Sequence, residues 1–328
     1  MIMDFSKKTA AKAAGAVIGV SALAGITSHM TTRFLVRTAL DRKEPKVMEK
    51  AGSLISGTLK DEEFFKAQKA AAEKLSEAGT EPVGIVSRDG IDLGGHWYPC
   101  DEPKRIVIAM HGWRSSWCND FGLVADFLHE NNCSVLFAEQ RGQNDSGGEY
   151  IGFGVTERFD CLDWIRWTVQ NKSSGLPIYL CGVSMGATTV LMAAGLDLPE
   201  NVHGIMADCG FTSPDEIWRH IANDNLHISY HLRRLIARNL FDKRNQVDGF
   251  AYSTVEALRN SKIPVLLIHG TDDHFVPVEM TYRNYCACAS PKRLLIVPGA
   301  DHGMSYLVDS EGYQSIVKRF WQEFDMAK

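Results

Sequence analysis

No C-x-x-C pair occurs in this sequence, although it holds eight cysteines: Cys100, Cys118, Cys133, Cys161, Cys181, Cys209, Cys286 and Cys288. That absence leaves a zinc or thioredoxin-like site without support. Cys286 and Cys288 form only a C-x-C, a weak metal signal. Cys133, Cys181 and Cys209 sit in or beside apolar, strand-like runs, where free cysteine behaves as a small hydrophobe. Reduced thiols, and a main domain facing a reducing compartment, follow. An excess of positive charge is also missing: 35 basic residues stand against 40 acidic ones, for a net charge of -5. This balance offers no electrostatic footprint for nucleic acid. Internal repeats are absent, and no low-complexity tract is visible beyond the N-terminal segment.

Charge is missing in a second sense. Ala13 to Thr32 contains no Asp, Glu, Lys or Arg. Twenty uncharged residues match the thickness of a bilayer core, although Ala, Gly and Ser keep the run only modestly hydrophobic. Residues 1–35 are therefore expected to form a membrane anchor or signal-like segment. Ala22-Leu23-Ala24 keeps a cleaved signal peptide open, and a packed helix is the third possibility. Arg33, Arg37, Arg42, Lys43 and Lys46 outnumber Lys7, Lys8 and Lys12 before the run. The positive-inside rule then puts the following domain in the cytoplasm, with a secreted or extracytoplasmic location as the alternative. Residues 36–81 read as a helical connector; Lys60 to Ala78 is charged, Ala-rich and favourable for helix.

From residue 82 the pattern changes. Short β-rich runs alternate with helical ones, which argues for a parallel sheet covered on both faces. Val83 to Val86 and Ile91 to Tyr98 flank Arg88-Asp89-Gly90, a hairpin signal. Arg105 to Met110 is a continuous apolar run, as expected of a strand buried on both faces. Further strands are expected at 134–138, 177–181, 202–206, 265–268 and 293–297. Helices are expected at 121–130, 158–169, 185–195 and 313–324. Between Phe211 and about Ser261 only helical sequence appears, and residues 212–260 read as an insertion.

Within this alternation lies Gly182-Val183-Ser184-Met185-Gly186, a G-x-S-x-G run between an expected strand and an expected helix. The motif puts Ser on a sharp strand-to-helix turn that flanking glycines make possible. A serine hydroxyl is a poor nucleophile and needs a base. Two later segments supply candidates at the ends of expected strands: Ile268 to Pro277, with Asp272 and Asp273, and Gly299 to Gly303, with His302. Strand C-termini are where open α/β sheets build their sites.

Together these runs resemble the α/β-hydrolase superfamily. Within it the chain from residue 82 is similar to the group of serine aminopeptidases, monoacylglycerol lipases and bacterial hydrolases with an N-terminal membrane segment. The resemblance implies an α/β-hydrolase fold with a mostly parallel central sheet, and makes the insertion at 212–260 a helical lid. The family pattern H-G-x-x-D-x-x-V-P falls on His269, Gly270, Asp273, Val276 and Pro277. This register makes Asp273 the acid that orients His302, the base, against Ser184, the nucleophile. His111-Gly112-Trp113 matches the family's H-G turn, implying an oxyanion hole from the backbone N–H groups of Trp113 and Met185. Glu139 to Gly148 matches a D-x-R-G-x-G-x-S-x-G run imperfectly, with Glu139 for Asp and Asn144 for Gly. No cofactor and no metal are expected.

Other residues compete for these roles. Asp272 reads as a turn residue, but is an alternative acid. Asp208, after the run Gly204 to Ala207, is another. Asp301 reads as structural, while His111 and His269 are expected to shape turns by hydrogen bonding. His220, His227 and His231 have helix-like spacing without the partners a zinc site needs. Trp113 and Trp117 are candidates for an acyl pocket or for ordinary packing. The expected activity is cleavage of carboxylic esters of small or medium acyl groups through an acyl-enzyme. A peptidase or acyl-peptide hydrolase with the same triad and a non-catalytic scaffold on the same fold are the alternatives. A dehalogenase fits less well, because such enzymes place Asp where Ser184 stands.

Overall fold

A computed structural model describes residues 27–43 and 62–325. Eight strands form one sheet: β1 (Glu81–Val86), β2 (Asp92–Tyr98), β3 (Arg105–Met110), β4 (Cys133–Ala138), β5 (Ile178–Val183), β6 (Val202–Asp208), β7 (Val265–Gly270) and β8 (Lys292–Val297). Their spatial order is β1-β2-β4-β3-β5-β6-β7-β8. The β1–β2 and β2–β4 pairs are antiparallel, and every other pair is parallel. The expected hairpin is present, with Gly90 at φ 82° in its turn, a region glycine enters without steric cost.

The helices follow the expected rhythm. In chain order they are α1 (residues 27–40), α2 (Glu62–Glu77), α3 (Trp117–Glu130), α4 (Glu157–Asn171), α5 (Met185–Ala193), α6 (Pro214–His220), α7 (Arg234–Asn245), α8 (Thr254–Asn260), α9 (Val278–Ala287), α10 (Ser305–Val308) and α11 (Ser310–Phe324). A π-helical turn, Ile221–Asn225, continues α6. No strand occurs among the described residues between β6 and β7.

Strand β3 shows why the central run is apolar throughout. Ile106, Ile108 and Met110 pack on one face with Trp164 of α4 and Val190 and Leu191 of α5. Val107 and Ala109 pack on the other with Phe121 of α3 and Phe320 and Trp321 of α11. Successive side chains point to opposite faces, so the doubly covered stretch Ile106 to Met110 has no polar position; Arg105, at the start of the strand, pairs with Asp325 at 2.7 Å. None of the eight cysteines is paired, and five are buried; Cys286 is exposed while Cys288 is buried and contacts Ser290, so the C-x-C splits across the surface.

The N-terminal expectations are partly outside the described residues, since 1–26 and 44–61 are not among them. Residues 27–32, the end of the uncharged run, open α1. The boundary expected at 35 falls inside that helix, which buries Val36 and Leu40 against the domain. No helix among the described residues is long and apolar enough to cross a membrane. The stretch read as a helical connector also packs: α2 lies on α3 with Ala72 and Leu75 buried. The two helices approach so closely at Gly122 that a Cβ there would lie 2.7 Å from the Ala71 carbonyl carbon.

Candidate active site

All the parallel strands point their C-terminal ends to one edge. Ser184 follows β5, Asp208 ends β6, Asp273 follows β7 by three residues, and His302 follows β8. Ser184 occupies the turn into α5 with φ 55° and ψ -116°. A non-glycine residue at such angles is strained by about 1–3 kcal/mol. The turn is set by its neighbours. A Cβ at Gly182 would lie 2.3 Å from the Gly186 carbonyl carbon, and one at Gly186 would lie 1.8 Å from the Met110 carbonyl oxygen. Both glycines are therefore steric requirements of packing α5 onto β3 and β5. The Ser184 N–H donates to the Asp208 carbonyl at 2.9 Å and fixes the bend.

Three side chains then form a chain of hydrogen bonds. Ser184 Oγ lies 2.9 Å from His302 Nε2, and His302 Nδ1 lies 2.7 Å from Asp273 Oδ2. The Asp273 carboxylate is held on every side. Its Oδ1 accepts the Phe275 N–H at 2.9 Å and the Val276 N–H at 2.7 Å. His269 Nε2 sits 3.1 Å from Oδ2 and 2.8 Å from the Val276 carbonyl, while Thr281 Oγ1 lies 2.6 Å from His269 Nδ1. Two acceptors around Nε2 and a hydroxyl at Nδ1 make Nε2 the protonated nitrogen. His269 thus donates to the carboxylate. Burial opposes ionisation of Asp273, but the two histidines outweigh it and hold the carboxyl well below the usual range. Burial likewise opposes the charged imidazole of His302, yet Asp273 raises its pKa well above 6.5.

Beside Ser184 runs the loop after β3. A Cβ added at Gly112 would lie 3.4 Å from Ser184 Cβ. The Gly112 N–H donates to Asp120 Oδ2 at 2.6 Å, and Ser115 Oγ to Asp120 Oδ1 at 2.5 Å. The next N–H, on Trp113, has no acceptor among the described residues, and neither has that of Met185. The latter is one of the four donors any helix start leaves open. His111 anchors the loop from below, with Nε2 2.8 Å from Glu139 Oε2. Burial lowers the basicity of His111, and the Glu139 carboxylate reverses that and raises it. Glu139 in place of Asp is thus the partner of a fully buried histidine. Asn144 in place of Gly takes φ 45°, which Asn tolerates better than most residues. Its side chain donates to Glu139 Oε2 at 2.5 Å and to the Ser115 carbonyl at 2.8 Å.

A cavity of about 120 Å³ opens onto Ser184. Its walls come from α1, from Trp113, Phe153 and Phe275, and from the insertion, chiefly Ile217, Trp218 and Ile228; among the described residues Arg233 is the one charged residue lining it.

Comparison with known proteins bears on the family and the fold. The family model described as serine aminopeptidase, S33, matches residues 101–240. A Bacillus subtilis protein, YqkD, is 31% identical over 249 residues, covering 72% of this chain and 77% of its own. The chain belongs to the α/β-hydrolase superfamily. Among solved structures, the Pyrococcus furiosus esterase Pf2001 is similar with a TM-score of 0.62 and 24% identity, covering 77% of this chain and 94% of its own. The Pyrococcus horikoshii acylaminoacyl peptidase has a TM-score of 0.56 and 14% identity over 77% of this chain and 43% of its own. Both likenesses bear on the fold.

Against this α/β-hydrolase frame, the residues expected at the site separate cleanly. Ser184, Asp273 and His302 come together, with Trp113 and Met185 beside them. Asp272 is exposed and accepts only from Thr271 Oγ1 at 2.7 Å. Asp208 is buried behind the site, accepts from Ser305 Oγ at 3.0 Å, and is pushed up to about 6 by burial. Asp301 accepts the His302 N–H at 2.7 Å and so shapes the turn. Trp113 lines the cavity, whereas Trp117 stacks on His96 with ring centroids 4.3 Å apart and packs in the core. His220 pairs with Asp224 at 2.7 Å. Among the described residues the single group of three potential metal ligands is Cys209, Asp273 and His302. Its imidazole and carboxylate are already committed to each other, and burial pushes the Cys209 thiol up to about 11. Sequence reasoning missed two features: His269 as a direct brace on Asp273, and Cys209 beside His302. The position of Cys209, directly after the end of β6, was the available signal.

Proposed function

We propose that this protein is a serine hydrolase that cleaves carboxylic esters of small or medium acyl groups through an acyl-enzyme. His302 Nε2 takes the Ser184 hydroxyl proton as Oγ attacks the acyl carbon. The tetrahedral oxyanion rests on the Trp113 and Met185 N–H groups, each worth about 3 kcal/mol to the transition state. On collapse the C–O bond breaks, the leaving alkoxide takes the proton from His302, and the acyl group stays on Ser184. Water, deprotonated by His302, then releases the carboxylic acid. Asp273 holds the imidazole with Nδ1 protonated and stabilises the imidazolium between the two proton transfers. The observation that carries this reading is the unbroken 2.9 Å and 2.7 Å relay from Ser184 through His302 to Asp273.

The insertion at 212–260 acts in this reading as the lid over the acyl site. An ester is favoured over a free amino-terminal peptide because, among the described residues, no carboxylate lines the cavity to receive an α-ammonium group. The N-terminal segment associates with a membrane on its cytoplasmic side, supported by the uncharged run and the basic residues after it. A fluorophosphonate probe should label Ser184 in the wild type and nothing in Ser184→Ala. A p-nitrophenyl ester series beside an aminoacyl-nitroanilide panel decides the bond cleaved. Folded wild type that resists the probe, with full activity in Ser184→Ala, defeats the proposal.

A further inference from the structure

The helix that walls the acyl cavity comes from outside the stretch that carries the chemistry. Helix α1 precedes residue 82 and precedes the family match at 101–240, yet Thr32, Leu35, Val36, Thr38 and Ala39 line the cavity that opens onto Ser184. Thr32 and Val36 are 3% and 4% exposed. Val36 packs with apolar side chains of the insertion, including Trp218 and Ala237, in one contiguous cluster with Met185 and Phe153, and Thr32 lines the same cavity.

This wall is fixed to the catalytic machinery. Trp113 Nε1 donates to the Ala39 carbonyl at 2.9 Å. Arg114 Nη2 donates to the carbonyls of Thr38 at 2.8 Å and Asp41 at 2.6 Å. The Ile151 N–H donates to the Leu40 carbonyl at 2.7 Å, and Asp41 pairs with Arg244 of α7 at 2.6 Å. The end of α1 therefore joins the loop beside Ser184 to the insertion.

We infer that α1 is a specificity-determining part of the active site, with Val36 and Leu35 setting the length of apolar acyl chain that reaches Ser184. The inference rests on the serine-hydrolase reading above. An ester enters with its acyl chain along the α1 wall. A larger side chain at 36 shortens the space, and a smaller one at 35 lengthens it. A methylene gained or lost in an apolar pocket shifts discrimination by about tenfold or more.

The test uses the full chain. Values of kcat/KM for p-nitrophenyl acetate, butyrate, octanoate and decanoate are compared in wild type, Val36→Trp, Leu35→Ala and Met30→Trp, with fluorophosphonate labelling measured on each. Met30 is 65% exposed and outside the cavity lining. The octanoate-to-acetate ratio should fall at least about tenfold in Val36→Trp and rise for the longer chains in Leu35→Ala. It should stay at the wild-type value in Met30→Trp. Should Val36→Trp fail to fold, Leu35→Ala reads the same wall in the opposite direction. Unchanged ratios in Val36→Trp and Leu35→Ala, with both labelled at the wild-type rate, overturn the inference and leave the hydrolase reading intact. A wild type that neither labels nor turns over any ester removes both.

Discussion

Replacing Asp273 by Asn exchanges one carboxylate oxygen for an amide nitrogen, at a site where every contact asks for an acceptor. The oxygen of the amide is held to the Oδ1 position, because the Phe275 and Val276 N–H groups at 2.9 and 2.7 Å have no other partner there. The NH₂ must then face His302 Nδ1 and His269 Nε2. Two donors cannot share a hydrogen bond, so the neutral His302 shifts its proton to Nε2. That nitrogen is the one 2.9 Å from Ser184 Oγ, and once protonated it cannot take the serine proton. The same exchange in a serine protease triad lowers turnover about 10⁴-fold by this change of tautomer. A loss of similar size here corresponds to about 5.4 kcal/mol of transition-state stabilisation. The assay is kcat/KM for p-nitrophenyl butyrate in Asp273→Asn beside Asp208→Asn and Asp272→Asn, with fold checked by circular dichroism. Asp208 and Asp272 make no hydrogen bond to His302 among the described residues, and their variants should stay within about tenfold of wild type. Activity in Asp273→Asn within tenfold of wild type, or a larger loss in Asp208→Asn, refutes the assignment of the acid.

Two further outcomes follow from the same geometry. His302 must be neutral to act as base, and Asp273 raises its pKa above 6.5 against the effect of burial. The acid limb of kcat/KM against pH should therefore have its midpoint above 6.5, activity falling as pH drops through it. The stability signature has the opposite sense, since a histidine with a raised folded pKa contributes most below its unfolded value and loses that contribution as pH rises through the folded one. A kinetic midpoint near 5.5 contradicts the pairing. Gly186→Ala would set a Cβ 1.8 Å from the Met110 carbonyl oxygen and 2.5 Å from its carbon. These are backbone atoms of a central strand, so the variant should lose about 3 kcal/mol or more and roughly 6–12 °C of thermal midpoint. A melt within 2 °C of wild type would show that β3 yields at little cost.

Several of these features are written in the chain itself. Apolar runs such as Arg105 to Met110 declare strands covered on both faces, because only burial on both sides explains a lack of alternation. G-x-S-x-G marks the sharp turn, since glycine is the residue that survives contacts of 2.3 and 1.8 Å with backbone. Ser184, Asp273 and His302, each after its own strand, share one edge because crossovers return every parallel strand to the same side of the sheet.

Local pattern alone could not choose between Asp272 and Asp273; only the H-G-x-x-D-x-x-V-P register of the resembling family pointed to Asp273. Adjacent residues share a turn, and the direction of each carboxylate depends on the Phe275 and Val276 N–H groups and on His269, buried beneath them. Nor could it find the partner of α1. The apolar stripe of α1 fits a lipid surface as well as a protein groove; Val36 and Leu40 settle into the domain because the loop at 151–155, α5 and the insertion present a matching apolar cluster. Sequence periodicity thus fixes which elements form and in what order, since it reports the environment each residue needs. Which distant elements satisfy that need was decided by long-range packing, where contacts between residues over a hundred positions apart set the distances on which the chemistry depends.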